Sequence, residues 1–145
     1  MLRNLPRRSI QVAALGLALV LALSGCMSDG QTAVQTEMNA DRTAQGLRAL
    51  PTHAQLNAKA QAWAEKLARD GKLSHSNLAA GVPDCWRSLG ENVGYGGTAA
   101  AVQDAYMNST GHRANILSGK WDYVGVGFAQ AGNRIYTVQV FMQGC

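Results

Sequence analysis

Three short segments of the chain carry side chains that could do chemistry together. They supply His75, Glu91 and His112, two imidazoles and a carboxylate from separate parts of the sequence. Two neutral imidazoles and one carboxylate match the ligand set of open zinc sites, in which water takes the fourth position. A divalent metal held by these residues would polarise a carbonyl group or a bound water. The alternative is a hydrogen-bonded network in which the same three side chains hold loops in place.

Polar residues that follow His112 are further candidates for ligand contact. Arg113 and Asn115 lie in the same segment, residues 108–117. Either side chain could bind ligand, although a polar residue just after a turn often caps or ties down neighbouring backbone instead. The chain has no HExxH motif, and Ser109 lacks a Ser-His-Asp context. A serine hydrolase is therefore not expected.

The first 25 residues are typical of an export signal. Three arginines precede residues 10–23, which are almost wholly apolar but shorter than the about 20 residues that span a bilayer. The junction Leu23-Ser-Gly-Cys26 resembles the bacterial lipobox, in which signal peptidase II cuts before the cysteine and the thiol is diacylated. We expect a lipoprotein signal peptide over 1–25, with lipidated Cys26 opening a polar tether over 26–32. The alternatives are an ordinary cleaved signal and, from Arg7-Arg8, twin-arginine export.

The net charge depends largely on this signal. The whole chain has 13 Lys and Arg residues and 9 acidic residues. Residues 1–25 contain 3 of the basic residues and none of the acids, so 10 basic and 9 acidic residues remain, a net charge of +1. With no basic cluster left, nucleic acid is not an expected partner. The remaining chain has the length of one domain with its own core.

The cysteine count fits an exported lipoprotein. If Cys26 carries lipid, Cys85 and Cys145 remain, and an oxidising envelope would let them form a disulfide. This disulfide would close a loop of about 60 residues. Such a loop predicts a stabilisation of a few kcal/mol, chiefly because the disulfide restricts the unfolded chain. The alternative is two free thiols, since neither a CxxC motif nor a Cys/His zinc spacing is present.

Hydrophobic spacing predicts three helices. The first covers residues 33–50, and the second follows Pro51, with a capping box over Thr52-His-Ala-Gln55 and Gly71 as its C-terminal cap. The third runs from Thr98 to about Ser109. Residues 73–97 are rich in Gly, Ser and Asn and are predicted to be irregular.

Near the end of the chain the apolar residues recur with a period of two. Residues 123–129 and 134–142 each place a row of apolar side chains on one face. The turn Ala131-Gly132-Asn133 between them predicts a β-hairpin. Helices first and strands last predict an α+β layered fold.

Several motifs, in a fixed order, span residues 38–141. The main ones are Leu73-Ser-His75-Ser, Gly90-Glu91-Asn92, Gly111-His112-Arg113-Ala-Asn115-Ile-Leu117 and Val124-Gly-Val-Gly127. The set resembles the CAP superfamily of cysteine-rich secretory proteins, antigen 5 and plant pathogenesis-related protein 1, in its bacterial SCP-like form. The resemblance implies a CAP domain over 33–145, folded as an α-β-α sandwich with a central antiparallel sheet and a surface cleft.

The same resemblance places His75, Glu91 and His112 at three of the family's four cleft positions. Many eukaryotic members add a second acid near the end of the third helix, where this chain has Asn108 and Ser109. A mechanism that needs two carboxylates is therefore not expected. We accordingly expect binding rather than catalysis.

Family ligands implied by the resemblance are sterols, fatty acids and other lipids, with zinc or another divalent metal in the cleft, and protein partners. We expect a cell-envelope lipoprotein that binds a small apolar ligand, a lipid or an envelope protein and is held to the membrane through its N-terminal lipid. Met27 after Cys26 favours the outer membrane in a diderm, and a monoderm would carry the protein on the outer face of its cell membrane. The alternatives are a metal-dependent hydrolase or protease with Glu91 as general base, and a pure protein-interaction module.

Overall fold

The computed structural model describes residues 26–145. Its helices are α1 (Asp29–Ala44), α2 (Ala54–Asp70), α3 (Ala99–Met107) and α4 (Thr110–Ile116), and its strands are β1 (Trp86–Gly96), β2 (Tyr123–Ala131) and β3 (Arg134–Gly144). The predicted signal peptide, residues 1–25, lies outside the described residues. Within residues 26–145, no helix has the length and apolar character needed to cross a membrane.

The three strands form one antiparallel sheet in the order β1-β3-β2. The predicted hairpin is confirmed, with Ala131 paired to Arg134 and Gly132 in the left-handed region at φ +61°. Central strand β3 is buried on both faces. Val138 and Val140 pack into a cluster with α2, whereas other apolar side chains of β3 pack with α1, α3 and α4. The predicted α+β sandwich is therefore confirmed.

Strand β1 contradicts the irregular structure predicted for residues 73–97, although residues 73–85 form neither helix nor strand, as predicted. It pairs with β3 from Trp86 opposite Gly144 to Gly96 opposite Ile135. The sequence does not show the strand as an alternating pattern, because glycines replace side chains at positions where side chains of α3 pack against it. A Cβ at Gly94 would lie 2.8 Å from the Tyr106 ring, and one at Gly96 would lie 2.8 Å from Val102. The glycines that suggested a loop are therefore packing positions.

Helix α1 begins four residues earlier than predicted and ends at Ala44 rather than Leu50. Ser28 is its N-cap and forms a capping box with Gln31. Gln31 is buried, and its Nε2 donates to the Val126 carbonyl at 2.8 Å. The predicted polar tether over 26–32 is thus wrong from Ser28 onward, because these residues build the first turn of a packed helix.

Two other local predictions also need correction. Helix α2 is capped by His53 instead of the predicted Thr52, since the His53 Nδ1 accepts the Gln55 amide at 3.2 Å. Arg113 and Asn115, which were expected just after a turn, lie with His112 inside a short helix, α4. The predicted C-terminal cap of α2 is confirmed, with Gly71 left-handed at φ +63°.

The predicted disulfide joins Cys85 to Cys145, 60 residues apart. It fastens the end of β3 to the segment that enters β1. Cys26 is a free, exposed cysteine.

Candidate functional site

The candidate side chains reach the edge of the sheet from three elements. Glu91 comes from edge strand β1, opposite Val140, and therefore faces the α2 side. His75 comes from the segment between α2 and β1. His112 comes from α4, which packs on the other face of the sheet. The fold brings the segments that carry His75 and His112 to the edge strand that carries Glu91.

Glu91 is a buried carboxylate with its own set of donors. Its side chain is 2% exposed, and Oε1 lies 2.7 Å from the His75 Nδ1 and 2.9 Å from the Ser76 amide. Ser76 Oγ donates to Oε2 at 2.5 Å. Because a carboxylate only accepts, the His75 Nδ1 carries a proton, and Nε2 is the ring nitrogen whose lone pair can bind a ligand. The His75 side chain is 63% exposed, so this nitrogen is open to a ligand.

His112 is half-buried, and its ring centroid lies 4.9 Å from that of Tyr106. Burial lowers the pKa of His112 below the ordinary 6.5, and the charge of His75 lowers it further. The neutral imidazole, which is the form that binds metals, is therefore favoured near neutral pH. No three His, Cys, Asp or Glu side chains within residues 26–145 stand together as a metal-binding group. His75 is hydrogen-bonded to Glu91, and His112 is near enough to His75 for the charge of His75 to influence its pKa.

A chain of amide side chains connects β1 to α4. Asn115 Nδ2 donates to the Asn92 Oδ1 at 2.9 Å and to the Glu91 carbonyl at 3.3 Å. Asn92 Nδ2 donates in turn to the His112 carbonyl at 3.2 Å and to Gln139 on β3 at 3.0 Å. Asn115 thereby ties α4 to β1. The other predicted contact residue, Arg113, is exposed on α4.

Sequence reasoning missed several residues that organise the site. Ser76 supplies two of the donors to Glu91, and buried Asn92 and Gln139 connect the strands to α4. Ser76 and Asn92 adjoin His75 and Glu91 in their motifs, so adjacency was an available signal. No sequence signal pointed to Gln139 beyond its place in a buried strand.

A cavity of about 240 Å³, here called the cleft, opens beside His112. It is lined by Leu73, Val93, Gly94, Tyr95, Val102, Ala105, Tyr106, Ser109 and His112. The Tyr106 hydroxyl is engaged with Thr137, donating to its carbonyl at 3.1 Å and lying 2.9 Å from its Oγ1. Burial raises the Tyr106 pKa well above its ordinary value. The wall is therefore mainly apolar, and His112 and Ser109 supply its polar side chains.

A protein-family model matches most of the described chain. The model described as CAP, the cysteine-rich secretory protein family, matches residues 35–142. The chain is also 33% identical over 110 residues to the uncharacterized protein YkwD of Bacillus subtilis (strain 168). That alignment covers 70% of this chain and 42% of YkwD, so the chain spans less than half of the relative's length.

Solved structures share the fold at low sequence identity. An outer surface protein from Borrelia burgdorferi matches with a TM-score of 0.70 and 18% identity, over 81% of this chain and 95% of that one. Venom allergen-like protein 4 of Schistosoma mansoni matches with a TM-score of 0.69 and 16% identity, over 82% of this chain and 91% of that one. An extracellular SCP-domain protein from Bacillus anthracis matches with a TM-score of 0.62 and 22% identity, over 83% of this chain and 45% of that one. At these identities, the three matches show the fold alone.

Proposed function

Because the chain belongs to the cysteine-rich secretory protein (CAP) family, we propose that it is an exported cell-envelope lipoprotein that binds a small apolar group in the cleft beside His112. Export is supported by the basic and apolar N-terminal residues and by structural neighbours described as an outer surface protein and an extracellular protein. The lipobox-like junction supports lipidation of the exposed Cys26.

The cleft is the observation that carries the binding proposal. Its volume of about 240 Å³ is below the about 300–1,000 Å³ typical of pockets for drug-sized ligands. It therefore suits one ring or a segment of an acyl chain better than a whole lipid. Leu73 and Tyr95 are large apolar side chains exposed at this cavity, 36% and 47% respectively. An apolar ligand would cover both, which supplies a driving force for binding.

A divalent metal beside the cleft is part of the same proposal. The donor set fits two imidazoles as ligands, because the His75 Nε2 is open and His112 favours its neutral form. Glu91 fits the position of a carboxylate that orients a ligating histidine through its other nitrogen. A bound zinc ion would act as a Lewis acid toward an oxygen of the ligand. Ser76 and Glu91 would hold the His75 ring in place, whether or not a metal is bound.

The hydrolase alternative receives less support from this geometry. A general base must reach the proton that it abstracts, whereas Glu91 is buried and its two oxygens already accept from His75 and Ser76. The interaction-module alternative would leave the cleft without a role. The same binding experiment separates it from the proposal.

Fluorescence titration with cis-parinaric acid, an apolar probe, tests the proposal. Ala105 lines the cleft, and Ala100 is an exposed residue of the same helix outside it. Ala105→Leu fills the cleft and is expected to weaken binding about tenfold or more, since even small volume changes in packed sites are strongly felt. Ala100→Leu is the matched control and should bind like the parent. Equal binding by all three chains would contradict the proposal.

Two further measurements test the metal and the anchor. Calorimetric titration with Zn²⁺ near neutral pH should give one-to-one binding that His112→Ala abolishes, and no binding by the parent chain would remove the metal from the proposal.

Mass spectrometry of the chain recovered from a bacterial membrane should show a diacylated Cys26. An unmodified Cys26 would contradict lipid anchoring but not ligand binding.

A further inference from the structure

We propose that the exposed face of α2 lies flat against the membrane that carries the anchor. The inference rests on the proposed lipidation of Cys26. The occupant of this face is the surface of a bilayer that contains anionic lipid. Three features of the structure support the inference: the distance from Cys26 to the fold, the surface next to it, and the charge of that surface.

The distance from Cys26 to the folded domain is short. Ser28 caps α1, and Met27 packs against the core cluster formed with α1, α3 and α4. Only two residues therefore separate Cys26 from the first residue of a helix, and an extended chain spans at most about 3.6 Å per residue. A lipid on Cys26 would hold the domain within about 10 Å of the membrane surface. Whatever surrounds Cys26 must then face the lipid.

The surface around Cys26 belongs mostly to α2. A cavity of about 200 Å³ is lined by Cys26 and Met27 together with Gln31, Ala54, Asn57, Ala58 and Gln61. Ala58 also lines a second, mainly apolar groove of about 550 Å³, which continues along α2. This α2 groove is lined by Gln55, Ala58, Lys59, Ala62, Trp63, Ser76, Asn77, Ala80 and Gly81. A continuous strip of small side chains, with Trp63 on it, thus extends from the anchor along the helix.

The side chains at the floor of the α2 groove suit a membrane interface. Trp63 is half-buried, donates through Nε1 to the Ser74 carbonyl at 2.8 Å, and has the Lys66 Nζ 5.4 Å from its ring centroid. Lys59 Nζ donates to the carbonyls of Asn77 and Ala80 at 2.8 and 2.7 Å, so it stays at the rim. A tryptophan beside lysines, over an apolar floor, is the composition found where proteins meet headgroups.

Charge complementarity points to the same partner. Residues 54–72 carry four basic side chains and two acidic ones, whereas the rest of residues 26–145 carries six basic and seven acidic. The positive charge of the domain is thus concentrated on α2 and the residues just after it. Anionic headgroups attract such a surface.

Quenching by brominated lipid tests this orientation. The chain starting at Cys26, which contains every described helix and strand, is coupled through its free Cys26 thiol to a maleimide lipid. The vesicles contain brominated phosphatidylcholine and phosphatidylglycerol. The quenched emission should disappear in Trp63→Phe and remain in Trp86→Phe, since Trp86 is exposed at the start of β1, away from the α2 groove. Absence of quenching, or quenching assigned to Trp86, would overturn the proposal.

A charge-reversal pair provides the matched control. Arg69 and Lys72 are exposed at the end of α2, and Arg87 and Lys120 are exposed elsewhere. Each double substitution to glutamate changes the net charge equally. Without the tether, vesicle affinity should fall about fivefold or more for each reversed residue on α2 and stay near the parent value for the control pair. An equal loss in both would overturn the proposal. Since the tether is chemical, these outcomes do not depend on cellular acylation, which the mass of Cys26 tests separately.

Discussion

At the scale of single residues, the site depends on how the buried carboxylate oxygens of Glu91 receive hydrogen bonds. Burying a carboxylate is costly unless its oxygens receive hydrogen bonds. Ser76 supplies one bond from its amide and one from its hydroxyl, and the exposed His75 supplies the third. Ser76 is therefore as important to the site as the histidines that the motifs single out. Its backbone bond fixes the segment after α2 onto β1.

Replacing Ser76 tests this account of Glu91. Ser76→Ala removes the hydroxyl donor to Oε2 and leaves that buried oxygen without its bond. We expect a loss of about 1–3 kcal/mol in the free energy of unfolding. The control is Ser74→Ala, two residues away and exposed, which should change stability little. Urea unfolding measures both, and equal effects would show that the Ser76 hydroxyl does not support Glu91.

The pKa of His112 gives a second prediction at this scale. Burial and then the charge of His75 lower it below 6.5. Protonation thus favours the unfolded chain, so His112 costs no stability above pH 6.5 and destabilises the fold as the pH drops through 6.5 toward the lowered value. An NMR titration should place the midpoint of His112 below 6.5. His75→Gln should raise that midpoint partway, because burial remains. An unchanged midpoint would contradict the influence of His75.

At the scale of elements, close contact between α2 and β2 fixes the sandwich. A Cβ at Gly127 would overlap the Ala60 carbonyl oxygen, and one at Gly125 would overlap that of Leu56. Backbone atoms cannot move aside as a flexible side chain can. The two glycines of the Val-Gly-Val-Gly motif therefore let α2 lie directly on the sheet. Gln61 completes the contact, with its Oε1 accepting the Phe128 amide at 3.0 Å.

Two glycine substitutions should have opposite effects. Gly127→Ala overpacks the contact between α2 and β2 and should destabilise the protein by about 1–3 kcal/mol or more. Gly111 is exposed in α4, and a Cβ there would meet no heavy atom of the described residues within 4 Å. Gly111→Ala should therefore stabilise by about 0.5–1 kcal/mol, the helix cost of glycine. Thermal and urea unfolding compare them, and two changes of the same sign would contradict this packing argument.

The elements differ in how far the sequence predicted them. The hairpin of β2 and β3 was predicted because alternating apolar residues flank a glycine turn, and α2 because its apolar spacing ends at Gly71. Strand β1 was not, since Gly94 and Gly96 make room for side chains of α3, and no local pattern records such a tertiary contact. Helix α4 has only seven residues, which is too short for a clear period.

The sequence named candidate site residues but not their arrangement. The motif resemblance supplied His75, Glu91 and His112, yet their spacing along the chain could not show that Glu91 faces α2 while its neighbour Asn92 faces α4. That division follows from the pleat of β1, which was itself missed. The metal assignment and the ligand therefore stay predictions, and the cleft wall formed by Tyr95, Val102 and Ala105 had no signal in the motifs.

At the scale of the whole molecule, the proposed anchor and the proposed binding cleft lie at different places in the fold. The disulfide Cys85–Cys145 closes the chain after β3 onto the entry to β1. Cys26 lies next to α2, while the cleft opens between β1 and helices α3 and α4. The central claim is that this cleft, and not another surface, receives the apolar ligand.

The most direct test is an NMR titration of ¹⁵N-labelled protein with decanoate, which locates the ligand. The account predicts that amide shifts change around the cleft, at Val93, Tyr95, Val102 and His112, and that Ala105→Leu suppresses them. Shifts confined to the α2 groove, around Ala58 and Ala62, or no shifts at all, would contradict the claim that the cleft is the binding site.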